Sequence, residues 1–119
     1  MSRETPFRIF ATLFAGAAIY HAVAFFYPAV SDERSHWRHA AFCGIDLVCA
    51  WCLIKRPKWF VVAFLLLTFE AIWGHGKHAW LLWHMQSRID WLSLAVLIVV
   101  PLAMALLVKD ARRQPGSSA

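Results

Sequence analysis

Residues 59–73 read Trp59-Phe60-Val61-Val62-Ala63-Phe64-Leu65-Leu66-Leu67-Thr68-Phe69-Glu70-Ala71-Ile72-Trp73, a run with one charged side chain, Glu70. A membrane barrel strand would alternate apolar and polar side chains. The five consecutive apolar residues Ala63–Leu67 do not. The run therefore predicts a buried or membrane-spanning helix, and the flanking sequence decides between them. Extended to about Ala79, it is one of four such stretches, the others being Phe7–Tyr27, His36–Ile54 and Ile89–Val108. A bilayer core takes about 20 helical residues to cross, and only a helix or a closed barrel satisfies its own backbone there. Hydrophobic residues make up 61% of the 119 positions and charged residues 16%. A soluble domain of this size has too high a surface-to-volume ratio to bury that much apolar surface. A soluble enzyme and a disordered tail are excluded. The expected fold is an all-α integral membrane protein, a single antiparallel four-transmembrane-helix bundle over residues 1–119, with a mobile basic tail at 109–119.

Punctuation marks the span ends. Thr5-Pro6 predicts an N-cap followed by proline at the first helical position. Pro28 closes the first span, and Ser31-Asp32-Glu33 opens a polar connector with carboxylates near a helix start. Lys55-Arg56-Pro57-Lys58 is a short basic turn that makes a tight hairpin of spans two and three. Ser87-Arg88-Ile89-Asp90 predicts a capping box for the fourth span, and Pro101 predicts a modest kink within it. Gly74-His75-Gly76 offers a place where the third span could end, leaving 77–86 as a Trp-rich interfacial segment; a helix continuing to about Ala79 is the preferred reading. Arg3, Arg8 and Ala22-Val23-Ala24 share features with a signal peptide, but the apolar run is too long for one.

The net charge of +5 is better read as topology than as affinity for nucleic acid. With the N-terminus inside, the inner side carries Arg3, Arg8, Lys55, Arg56, Lys58, Lys109, Arg112 and Arg113, against Arg34, Arg38, Lys77 and Arg88 outside. Both termini are therefore expected in the cytoplasm of a multi-pass protein of the cell (inner) membrane. Trp51 and Trp59 fall at the inner interface, and Trp37, Trp80, Trp83 and Trp91 at the outer one. The lipid bilayer is the first partner. A larger membrane complex or a second copy of the chain is the next.

Under this topology all six histidines, His21, His36, His39, His75, His78 and His84, lie in the outer half. The intramembrane acids Asp46 and Glu70 lie near the middle. At 1.5 Å per residue, His21, Asp46 and Glu70 share a depth of roughly 10–15 Å below the outer helix ends. His36, His39, Cys43 and Asp46 share one face of the second helix, and Glu70, Gly74 and Lys77 one face of the third, with His78 a quarter-turn aside. His75 points away from Glu70. The fourth span, with only Asp90 and Ser93 as polar side chains, reads as a packing helix. A charged carboxylate at a helix centre costs roughly 2.5–3.5 kcal/mol, so Asp46 and Glu70 need partners, protonation or a purpose.

Three functions follow. An outward cavity between the first three helices, lined by His21, His39, Asp46, Glu70 and His78, would bind a haem or transition metal for electron transfer or within an oxidoreductase complex. His21, His39, His78, His36 and His75 are the ligand candidates. Alternatively, Asp46, Glu70 and His21 would carry protons in coupled transport or a relay. A third reading is a non-catalytic subunit of a larger complex. No metal-binding spacing such as HExxH or CxxCH occurs. Cys49 and Cys52 read as small apolar residues. In size and in bearing a membrane glutamate the chain resembles small multidrug transporters. Their acid lies in the first helix, where this chain has His21, so no residue role carries over.

Overall fold

A computed structural model describes residues 2–27 and 36–114. The described residues form four α-helices: α1 (Glu4–Phe26), α2 (His36–Lys55), α3 (Trp59–Gln86) and α4 (Trp91–Arg112). All four are long and apolar enough to cross a membrane. Of the expected mobile tail 109–119, residues 109–112 are the last turn of α4, and residues 115–119, like Pro28 and the Ser31–Glu33 connector, lie outside the described residues.

The chain divides into two units, Met1–Arg56 and Pro57–Ala119, each a helical hairpin. In the first, buried positions of α1 recur at Phe7, Ala11, Phe14, Ala18 and Ala24, and those of α2 at His39, Asp46, Cys49, Cys52 and Leu53. These spacings are the apolar stripe of an amphipathic helix, except that α2 places a histidine and a carboxylate in it. The hairpin is antiparallel and clamped at its open end. Arg56, just past α2, turns with φ 51° and donates its backbone N–H to Cys52 O at 2.7 Å. Its guanidinium donates to Glu4 Oε1 at 2.7 Å and lies 4.5 Å over the Phe7 ring. The start of α1 is thereby tied to the end of α2 by charge and by cation–π attraction. Cys43, Cys49 and Cys52 are free thiols.

Helix α1 begins one residue before Thr5, so Thr5-Pro6 falls inside its first turn instead of capping it. The first four N–H groups of a helix have no acceptor within it, and a proline there removes nothing. Thr5 donates its N–H to Ser2 O at 3.2 Å, and the two hydroxyls meet at 2.9 Å.

In the second unit, α3 runs unbroken through Gly74 and Gly76 to Gln86. Two glycines weaken a helix by roughly 1 kcal/mol each, and the helix formers Ala79, Leu81, Leu82 and Met85 carry it on. At 28 residues, α3 is about 42 Å long, longer than the roughly 30 Å of hydrocarbon. It ends at Ser87, which is left-handed (φ 50°). Ser87 donates its N–H to Trp83 O at 3.0 Å and Arg88 to Leu82 O at 3.4 Å, the first of these being the bond of a left-handed (αL) helix stop.

Ser87 is thus occupied in ending α3 and does not open a capping box for α4. The N-cap of α4 is Asp90, whose Oδ1 accepts the Ser93 N–H at 3.0 Å. The buried positions of α3 are Phe60, Phe64, Thr68 and Ala71, and those of α4 are Ser93, Val100, Ala103, Met104, Leu107 and Asp110. Outside these stripes, large apolar side chains are exposed, Trp73 by 74%, Leu66 by 67% and Phe69 by 65%. An apolar face of that extent is unusual in water and ordinary in lipid.

Candidate functional site

The first constellation joins the two helices of the first hairpin. On α1, His21 follows Phe14 and Ala18 around the helix, which turns its ring towards α2. On α2, His39 and Asp46 are two turns apart on the buried face. His21 Nδ1 and His39 Nδ1 are 3.0 Å apart, and His21 Nε2 lies 3.7 Å from Asp46 Oδ2. The first distance is a hydrogen bond, whereas the second is too long for one. His39 is 1% exposed, and the His21 and Asp46 side chains are 14% and 11% exposed.

One proton sits between the two Nδ1 atoms, so the tautomers are linked. If His39 donates, a neutral His21 carries its proton on Nε2, facing Asp46. If His21 donates, its Nε2 presents a lone pair to Asp46. Aromatic rings fix the imidazole planes: Phe42 stacks on His21 at 5.6 Å and 27°, and Tyr20 meets His21 edge-on at 5.2 Å and His39 at 6.3 Å. The Arg38 guanidinium lies 5.4 Å from the Phe42 ring centre. His36 stands apart from this set. It is exposed, and its Nδ1–H donates to Phe25 O at 2.9 Å, joining the end of α1 to the start of α2.

The second constellation lies in the other hairpin. His78 Nδ1 hydrogen-bonds to Asp90 Oδ2. Ser93 Oγ donates to the same Oδ2 at 2.6 Å, and His75 Nδ1 is 3.0 Å from Ser93 Oγ. Burial pushes the Asp90 carboxyl up, but bonds from the Ser93 hydroxyl and backbone and from His78 outweigh it and hold the acid below its usual range. His75 and His78 continue the stripe 60, 64, 68, 71 of α3 towards α4. Glu70 and Lys77 are exposed, and Glu70 Oε1 stands 3.6 Å from where a Cβ on Gly74 would lie. His84 stacks on Trp80 at 4.0 Å and donates to its carbonyl at 2.9 Å.

Of the expected site residues, His21, His39 and Asp46 meet in one hairpin, while Glu70, His75 and His78 belong to the other. Sequence reasoning missed the part played by Asp90 and Ser93, which it assigned to a packing helix, and left His75 out of the cavity lining. The available signal was Asp90-x-x-Ser93, itself an N-cap pattern, opposite two histidines at i, i+3.

Among the described residues no three His, Cys, Asp or Glu side chains form a group that could hold a metal ion. Metal–imidazole bonds run about 2.0–2.1 Å, so two axial imidazoles in line need their nitrogens about 4 Å apart. With their Nδ1 atoms 3.0 Å apart and bonded to each other, His21 and His39 do not fit as a ligand pair through those two nitrogens. Compared with protein-family models, curated proteins and solved structures, the chain matches none.

Proposed function

We propose that this chain is a four-span protein of the cell membrane with both termini in the cytoplasm, and that its first hairpin carries a proton-transfer site made of Asp46, His21 and His39. The observation that carries the reading is the His21–His39 nitrogen–nitrogen hydrogen bond with a carboxylate beside the other nitrogen of His21. An imidazole so placed can accept a proton at one nitrogen and release a different one from the other. A proton on Asp46 Oδ2 passes to His21 Nε2 once the two close from 3.7 Å to about 2.8 Å. His21 then gives its Nδ1 proton to His39 Nδ1. One N–H bond forms and one breaks on His21, Asp46 is left as carboxylate and His39 gains the proton. Intramembrane Asp and His placed together mark proton paths by default, and the excess of Lys and Arg on one side supports the orientation.

The test is proton flux into vesicles loaded with a pH-sensitive dye, using protein purified without chelator. Asp46→Asn and His21→Ala are expected to reduce flux by about tenfold or more, with helical content unchanged by circular dichroism. Flux equal to wild type in both variants overturns the reading. So does a Soret band or iron near one per chain in the same preparation, which would favour the haem site. Recovery of the untagged chain only within a larger complex, with no flux of its own, would favour the accessory subunit.

A further inference from the structure

The α3–α4 constellation is more than a helix cap. An N-cap needs one carboxylate oxygen on a backbone N–H, and Asp90 Oδ1 supplies it through Ser93 N at 3.0 Å. The other oxygen, Oδ2, is shared by two side chains, His78 and Ser93, and Ser93 Oγ is shared in turn with His75. Four protonatable or hydroxylic groups therefore form an unbroken series, His78–Asp90–Ser93–His75. Exposure falls over its first three members and rises again at the last: the His78 side chain is 47% and the Asp90 side chain 11% exposed, Ser93 is 2% exposed, and His75 is half-buried one turn from His78.

We propose that this series is a second proton relay, taking a proton from water at His78 and delivering it to His75. It stands on the contacts within the second hairpin and does not rest on the reading of Asp46 and His21.

The direction of each hydrogen bond sets the steps. With Asp90 ionised, both His78 and Ser93 donate to Oδ2. A proton from water binds His78 Nε2, and His78 passes its Nδ1 proton to Asp90 Oδ2. A protonated Oδ2 is a donor, so the Ser93 hydroxyl reverses: Oγ accepts from Asp90 and gives its own hydrogen to His75 Nδ1. The sum is one O–H bond broken and one formed on Ser93, Asp90 restored as carboxylate and one proton gained by His75. The step requires the His75 tautomer with its proton on Nε2: while the Ser93 hydroxyl donates to Oδ2, the 3.0 Å contact is His75 Nδ1–H donating to Oγ, so the His75 proton exchanges to Nε2 before the hydroxyl turns to Nδ1. The carboxyl of Asp90, held below its usual range, is ionised at neutral pH, so it holds the proton only in passing, as Ser93 gives up its own. The other ionisable side chains of the adjoining segments are Glu70, Lys77 and His84 on α3 and Arg88 in the connector, all exposed.

Nitrogen-15 NMR of histidine-labelled full-length protein in lipid bilayers tests this through the exchange of ring N–H protons with water. Ser93→Ala keeps the backbone N–H that Asp90 caps but removes the hydroxyl link. It is expected to slow exchange at His75 by about tenfold or more, with His78 and His84 unchanged. Ser93→Thr, which restores a hydroxyl, is expected to recover it. Unchanged exchange at His75 in Ser93→Ala overturns the proposal. Equal slowing at His75 and His84 also overturns it, because a relay acts on His75 alone.

Discussion

Asp90 accepts the Ser93 backbone N–H through one carboxylate oxygen and two side-chain donors through the other. Replacing it with alanine removes the cap and leaves both donors to find water. Asp90→Ala is expected to destabilise the second hairpin by about 1–2 kcal/mol, read by denaturation in detergent, and Asp90→Asn, which still caps, by less. The pH dependence has a definite sign. The folded state holds the Asp90 carboxyl below its usual value, so its contribution is complete above the unfolded value of about 3.9. It is lost as pH falls through the lower folded value. The stability difference between wild type and Asp90→Asn is therefore expected to be flat above about pH 5 and to shrink below about pH 4. A difference that grows on acidification would contradict the assignment.

At the scale of the elements, Gly74 separates two pictures of α3. In a continuous helix, alanine there gains about 0.8–1 kcal/mol of propensity, and its Cβ would meet Glu70 Oε1 at an ordinary 3.6 Å. Gly74→Ala is expected to stabilise the hairpin by up to about 1 kcal/mol, whereas a helix that stopped at Gly74 would lose stability on the same change. The clamp of the first hairpin is weaker. Its ion pair is partly exposed, 19% at Arg56 and 46% at Glu4, so a Glu4→Gln, Arg56→Gln double-mutant cycle is expected to give a coupling of about 1 kcal/mol or less. A coupling of several kcal/mol would mean a pair far better shielded from solvent.

Most of this organisation is visible in the amino-acid order because apolar length and helical phase are local properties. The count of four helices follows from runs such as 59–73, and the shared face of His39 and Asp46 follows from a spacing of seven. Phase gives the face a residue occupies but not what stands opposite. His75 does point away from Glu70, yet the partner that matters is Ser93 on α4, which no periodicity in α3 could name. The two candidate caps, Ser87-x-x-Asp90 and Asp90-x-x-Ser93, overlap in sequence. The length of α3 chooses between them, because a helix that reaches Gln86 uses Ser87 to stop. The expected cavity drew His21, Asp46, Glu70 and His78 together by depth and by helical face, neither of which says which helices pack against each other. His21 and Asp46 belong to the first hairpin, and Glu70 and His78 to the second.

For the whole molecule, the proposed topology puts both termini and the 56–58 turn on one side and Arg88 on the other. Single cysteines at positions 2, 58 and 88 in a chain lacking Cys43, Cys49 and Cys52 read this through an impermeant thiol reagent on intact cells. Labelling at 88 alone is expected, and labelling at 2 and 58 but not 88 would invert the orientation. The proposed site of the first hairpin rests on a single shared proton. In bilayers, nitrogen-15 NMR detects coupling across an N–H···N bond, so histidine-labelled protein is expected to show a His21 Nδ1–His39 Nδ1 coupling that disappears in His21→Ala. Uncoupled imidazoles, each with the shifts of a water-bonded or metal-bound ring, would contradict it.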